Sequence, residues 1–210
     1  MKFSFRSHPY VYMSLGLLVL LLVAGSLGLY TAMYRYRSDA PVIRSIVKVI
    51  PFPAAKVDST TISYNDYLTH VDALKRYLSG PAAAANGVGP EPTDADLSGA
   101  LDRAIRIEAV HQIAAERNVS VTPVDIERTY ADLVQKAGTS TTPGEIETFI
   151  NDQFGWTVAQ FKNYILGPAI LEDTLRLQMQ TETGSATAFD DALTERMSAN
   201  HVKRYLSFGS

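Results

Sequence analysis

Four histidines, three pairs of neighbouring acids and one glycine-rich triplet are the residues of this chain whose types suggest chemistry. His8, His70, His111 and His201 are far apart in sequence, and none falls in an H-x-x-x-H or H-E-x-x-H pattern. Each reads as an ordinary histidine rather than a metal ligand. Asp94/Asp96, Glu145/Glu147 and Glu172/Asp173 would suit paired-carboxylate acid–base work. The first two pairs, however, stand where helices begin, and acids there complement the helix dipole. Gly87-Val88-Gly89 lacks the third glycine and the strand–loop–helix context of a phosphate cradle, and there is no G-x-S-x-G nucleophile elbow. Asn118-Val119-Ser120 matches a glycosylation triplet that is common by chance. The chain has no cysteine, which excludes disulfides, thiol catalysis and cysteine-based metal sites. No catalytic residue, metal site or cofactor site is assigned, and the chain is read as non-enzymatic.

The aromatic residues offer a different chemistry. Tyr67, Tyr130, Phe149, Phe154, Trp156, Phe161 and Tyr164 are enough to line an apolar groove that buries client side chains with little sequence preference. Periodicity alone does not separate such a lining from core. Tyr67, Phe149, Phe154, Trp156, Phe161 and Tyr164 are the candidate client contacts, with Trp156, just past a helix stop, the one expected to be partly exposed.

The elements that would position these residues follow a membrane segment. From Val11 to Ala32 the chain is apolar and uncharged. As a helix this run would extend about 33 Å at roughly 1.5 Å per residue, against a bilayer core about 30 Å thick. Lys2 and Arg6 resemble a signal-peptide n-region, but the run exceeds the usual h-region of about 7–15 residues. An uncleaved single-pass anchor over residues 10–34 is expected, with Tyr10, Tyr12, Tyr30, Tyr34 and Tyr36 at its ends as interfacial aromatics. The glycines Gly16, Gly25 and Gly28 do not form G-x-x-x-G. Arg35, Arg37, Arg44 and Lys48 follow the run, and a Lys/Arg count would keep the C-terminal side cytoplasmic, although long domains can be translocated regardless.

Charge is divided unevenly. Residues 1–48 hold six Lys/Arg and one Asp, leaving 13 basic against 21 acidic residues in the remainder. An acidic domain without a basic cluster is a poor nucleic-acid binder and would favour basic clients. The β-branched stretch 42–50 reads as extended, Pro51 and Pro53 as breaks, and Asp58-Ser59-Thr60 as a turn between two extended pieces. Helices are then expected over 64–78, 93–117, from Pro123 to Gly138, from Pro143 to Phe154, and from Thr157 onward with a kink at Gly167-Pro168. A last one is expected over 187–206. Residues 80–92 read as a surface loop.

The order of these pieces resembles a known family. Val57-Asp58-Ser59-Thr60-Thr61-Ile62-Ser63 before a helix is similar to the V-N-G-x-x-I-S/T opening of SurA-type N-terminal chaperone domains, shared by SurA-, PpiD- and PrsA-like proteins. Ala100-Leu101-Asp102-Arg103-Ala104-Ile105 through Val119-Ser120-Val121-Thr122 resembles the family's second signature, and Phe154-Gly155 followed by Phe161 to Ile165 resembles its third. The resemblance covers about Ala55 to Met179. Asp58-Ser59 stands where the family has Asn-Gly, and nothing after Met179 offers the sheet or the His and Cys/Asp cluster of a parvulin domain, so prolyl isomerase activity is not carried over.

The resemblance implies a mostly α fold: an N-terminal transmembrane helix, then a helical SurA-like domain with a short β segment. The division is 1–9 basic N-terminus, 10–34 anchor, 35–54 extended stem, 55–180 helical domain and 181–210 C-terminal helix. It implies a membrane-anchored chaperone holding unfolded or nascent polypeptides, without cofactor. The bilayer would be met through residues 10–34 and the domain placed outside the cytoplasm, against the Lys/Arg count. The alternatives are a scaffold for one membrane partner, or the anchor and chaperone part of a prolyl isomerase. Oligomeric state is not legible.

Overall fold

Serine and threonine residues followed three positions later by an acid or glutamine set five of the helix starts among the described residues. The computed structural model describes residues 9–138 and 142–209, with side chains for residues 20, 21 and 23 onward. Ser63/Asp66, Thr93/Asp96, Thr122/Asp125, Thr142/Glu145 and Thr157/Gln160 each form a reciprocal capping box. In each, the hydroxyl accepts a backbone N–H that would otherwise have no partner. They open α3 (Tyr64–Leu78), α5 (Asp94–Glu116), α6 (Pro123–Lys136), α7 (Pro143–Phe154) and α8 (Val158–Phe161). Pro123 and Pro143 sit at the first turn, where a missing N–H costs nothing. Gly155 ends α7 at φ 67° and Asn118 follows α5 at φ 55°, the left-handed conformation that terminates helices.

Three stretches differ from their sequence reading. Residues 42–50 are not extended: α2 (Pro41–Val47) is a two-turn helix, opened by Pro41 and burying Ile43 and Val47. Their i, i+4 spacing lets one helical face bury both, and that burial overrides β propensity. Residues 80–92 contain the short helix α4 (Pro81–Ala85). The expected kink at Gly167-Pro168 is a π-helical turn over Lys162–Leu166 that leads into α9 (Gly167–Thr183). That wider turn leaves Pro168 without a demand on its missing N–H.

The C-terminal helix over 181–210 is also corrected. Helix α10 (Ala188–Arg196) is short, and the chain then turns back into β3 (Val202–Arg204). With β1 (Pro53–Val57) and β2 (Thr60–Ser63) it forms an antiparallel sheet in the order β2-β1-β3. Val57 pairs with Thr60 on one side and Val202 on the other. Asp58, at φ 47°, carries the left-handed strain of the β1–β2 turn.

The main core gathers Val57, Ile62, Tyr64, Tyr67, Leu101, Ile105, Val110, Leu175, Phe189 and Leu206 around α5, whose two faces are both covered. It also includes Ile43, Val47 and Ala54, so residues 35–54 are part of the domain rather than a linker. Met33, in the last turn of α1 (Pro9–Tyr34), is fully buried in the same core. A second, smaller cluster joins Ala73 of α3 to Ile150 of α7 and Trp156.

Among the described residues no helix is long and apolar enough to cross a membrane. The anchor expected over 10–34 falls partly outside them, since no side chain of residues 10–19 is described. Lys2, Arg6 and His8 lie wholly outside.

Candidate functional site

Helix α3 presents His70, Ala73, Leu74 and Tyr77 along one face, at the i, i+3, i+4 and i+7 spacing of a helix stripe. Asp96, Gly99, Ala100 and Arg103 repeat that spacing on α5, with Ala95 beside them. These two stripes form walls of a cleft of about 510 Å³, and Phe154, Trp156 and Ile165 form another side. Gly155, between Phe154 and Trp156, turns the chain so that the two rings stack with centroids 5.4 Å apart and planes 23° from parallel. Phe161 stacks on Phe154 at 6.4 Å, and Tyr164 lies 5.4 Å from Trp156. Offset aromatic contacts of this kind are worth roughly 0.5–1.5 kcal/mol each beyond area burial. The Arg76 guanidinium donates to the Asp152 carbonyl at 3.0 Å and fastens α7 to α3 beside the cleft.

His70 is the buried polar member of the lining. It is only 6% exposed, yet no hydrogen bond reaches either ring nitrogen among the described residues. Its ring meets Trp156 and Tyr164 edge-on at 6.5 and 5.5 Å. Burial, reinforced by the positive charge of Arg103, lowers its pKa to about 4, so the ring is neutral at pH 7. A neutral imidazole carries one donor and one acceptor. Arg103 itself is exposed and forms no ion pair among the described residues.

The six candidate contacts separate into different roles. Phe154 lines the cleft, Phe161 stacks on Phe154, Tyr164 packs on Trp156 and lines the adjoining hollow, and Trp156 lines the cleft while only 5% exposed. The expectation of partial exposure at Trp156 is therefore corrected: Phe154 and Tyr164 cover it. Tyr67 is removed from the set. It is fully buried in the main core beside Tyr64, its hydroxyl has no hydrogen-bond partner, and burial pushes its pKa up to about 12. Phe149 is 60% exposed on α7, outside the cleft. His70, Leu74, Tyr77, Gly99 and Arg103 were not among the candidates. The shared stripe of His70, Leu74 and Tyr77 was the signal that could have found the α3 wall.

Each pair of acids singled out in the sequence has a member engaged in local structure. The acids Asp96 and Glu145 are bound by Thr93 and Thr142 in capping boxes, and those hydrogen bonds hold both carboxyls below their ordinary range. Glu172 accepts a bidentate pair from Arg106 at 3.0 and 2.6 Å. Among the described residues no three His, Asp or Glu side chains converge in the manner of a metal site. Comparison with models of protein families, with curated proteins and with solved structures finds no match to this chain in any of the three.

Proposed function

We propose that this chain is a membrane-anchored, chaperone-like protein that binds unfolded or emerging polypeptide segments without catalysis. The observation that carries the reading is the cleft between α3 and α5, in which half-buried Phe154, backed by the Trp156 ring it stacks on, offers apolar surface beside one neutral imidazole. Burying a large apolar side chain there contributes on the order of 1.5–3 kcal/mol. That is enough for reversible capture by a few anchors and too little for tight selection of one sequence.

Two further features support the setting. The described part of α1 leaves Leu20, Leu21, Val23, Leu27 and Tyr30 exposed, as suits a helix whose solvent is lipid rather than water. The order of hairpin, capped helices and aromatic-glycine stop resembles that of SurA-type domains, and the reading takes that likeness as part of the proposal.

The test is light scattering of two unrelated, chemically unfolded proteins diluted into buffer with the full chain in phosphatidylcholine nanodiscs. Suppressed aggregation of both at near-stoichiometric amounts, relative to empty nanodiscs, is the expected result. No effect on either would sink the reading.

A second reading, a scaffold for one membrane partner, is favoured by one observation. Helix α6 buries none of its residues, and Val124 and Leu133 on it, with Phe149 on α7, are exposed. Substituting all three with serine separates the readings. The chaperone activity is unchanged, whereas stoichiometric association with a single partner is lost.

A further inference from the structure

The cleft does not end at Arg103. A second hollow of about 470 Å³ lies beside it along α5, and Gly99, Arg103 and Ile165 line both. On α5 the first is flanked by Ala95 to Arg103 and the second by Gly99 to Ile107. Together they form one furrow about 18 Å long, at ~1.5 Å of rise per helical residue. An extended chain of roughly five or six residues fills that length. Gly99 keeps the passage open, because a Cβ added there would meet nothing within 4 Å.

Two of the acids along the furrow are paired with cations: Asp102 accepts from Arg204 and Glu172 from Arg106. Asp96, at the far end of the first hollow, keeps its negative charge and is held by the Thr93 backbone and hydroxyl. Arg103 has no such partner among the described residues. His70, buried and without a hydrogen bond, lines the first hollow with it. A guanidinium whose tip is free of any ion pair among the described residues, beside a buried imidazole that makes no hydrogen bond there, is complementary to a carboxylate.

We propose that the furrow selects extended segments with an acidic side chain at their middle, seated on Arg103, and a large apolar side chain beside it over Phe154 and Trp156. This rests on the polypeptide-binding reading above and names its client class. The carboxylate belongs to a residue within the segment rather than to a chain terminus, because the furrow continues past Arg103 in both directions. The acidic domain as a whole favours basic clients in the encounter. That long-range field is screened beyond about 8 Å at 0.15 M salt, while the contact at Arg103 acts within that distance.

The test is fluorescence anisotropy of three fluorescein-labelled, C-amidated nonapeptides with the full chain in detergent micelles at 0.15 M salt. The peptides share a phenylalanine two positions before a central Glu, Gln or Lys. The Glu peptide should bind five- to tenfold more tightly than the Gln peptide, and the Lys peptide most weakly. In R103Q the Glu and Gln peptides should bind equally, at the wild-type affinity for Gln, while R103K keeps part of the preference. Equal binding of Glu and Gln peptides by the wild type overturns the inference and leaves the groove reading standing, as does a preference that survives in R103Q. Failure of all three peptides to bind overturns both.

Discussion

His201 Nδ1 lies 2.7 Å from the Asp58 carboxylate, joining the β1–β2 turn to the segment between α10 and β3 across 143 positions of sequence. The backbone repeats the connection, with the Asp58 N–H donating to the His201 carbonyl at 2.8 Å. Arg196 also reaches Asp58, at 3.2 Å, while forking onto Glu116 of α5. The hairpin is thus held in place by the end of the chain, and β3 is delivered to the free edge of β1 by the same contacts.

Replacing Asp58 separates its charge from its backbone role. The hydrogen bond from His201, with help from Arg196, holds the Asp58 carboxyl below its ordinary range. A depressed carboxylate stabilises the fold above its unfolded pKa, and the contribution disappears as pH falls through the folded value. D58N keeps a residue that tolerates positive φ and should lose at most about 1 kcal/mol, as exposed ion pairs do. D58A adds left-handed strain of about 1–2 kcal/mol. Urea unfolding at pH 7 should rank wild type, D58N and D58A in that order, and D58A no worse than D58N would refute the backbone part.

His70 titrates in a separate window. Its native pKa of about 4 lies below the ordinary histidine value near 6.5. Between those values the unfolded chain binds a proton that the native protein refuses, so stability falls as pH drops from about 6.5 to 4. The full difference is on the order of 3 kcal/mol. H70Q cannot take up that proton and should lose much less over the same range. Trp156 is the only tryptophan and packs against His70, so its emission during urea unfolding reports the relevant cluster. Parallel pH dependence in wild type and H70Q would show that the imidazole is not the group refusing protonation.

Legibility followed the range of the interactions. Helices α3, α5, α6 and α7 were readable because each carries its start signal within four residues: Ser63 to Asp66, Thr93 to Asp96, Thr122 to Asp125, Thr142 to Glu145. Strand β3 was not, because Val202, Lys203 and Arg204 are a strand only by pairing with Val57, Lys56 and Ala55. The β-branched stretch around Ile43 and Val47 became helical for the same reason, its face being buried by residues far away in sequence. At the cleft the aromatic types were legible and their depth was not. Tyr67 sits on a helix and Trp156 in a loop just past a helix stop, yet both are buried, one in the main core and the other against the cleft. Arg103 carried no local signal at all, since what distinguishes it is the pairing of Asp102 and Arg106 with distant partners.

Arg37 and Asp94 bind the end of the chain to the exit of α1. Arg37 donates to Asp94 and to the Ser207 carbonyl, Gly209 N–H donates to the other Asp94 oxygen, and Ser207 reaches the Tyr34 carbonyl. Leu206 between them is buried in the main core with Met33. L206A should cost about 2–4 kcal/mol through the cavity it leaves. D94N should cost less globally, but it should raise amide hydrogen exchange selectively over residues 205–209. Uniform exchange across the domain in D94N would argue against a local clasp.

Two glycines flank the cleft and should respond to alanine in opposite directions. Gly155 holds φ 67°, so G155A is strained although its Cβ would meet only the Arg76 side chain at an ordinary 3.8 Å. A loss of about 1 kcal/mol is expected, from backbone conformation alone. Gly99 lies inside α5 with open space where a Cβ would stand. G99A should therefore gain about 0.5–1 kcal/mol of helix stability. The same open space is the passage between the two hollows, so G99L should fold at least as well as the wild type and bind the phenylalanine-containing peptides at least tenfold more weakly. Thermal unfolding and anisotropy on the same preparations separate the two effects. If G99L binds those peptides as the wild type does, extended chain does not run along α5 between Ala95 and Ile107, and the cleft must take its ligand from the Phe154 side alone.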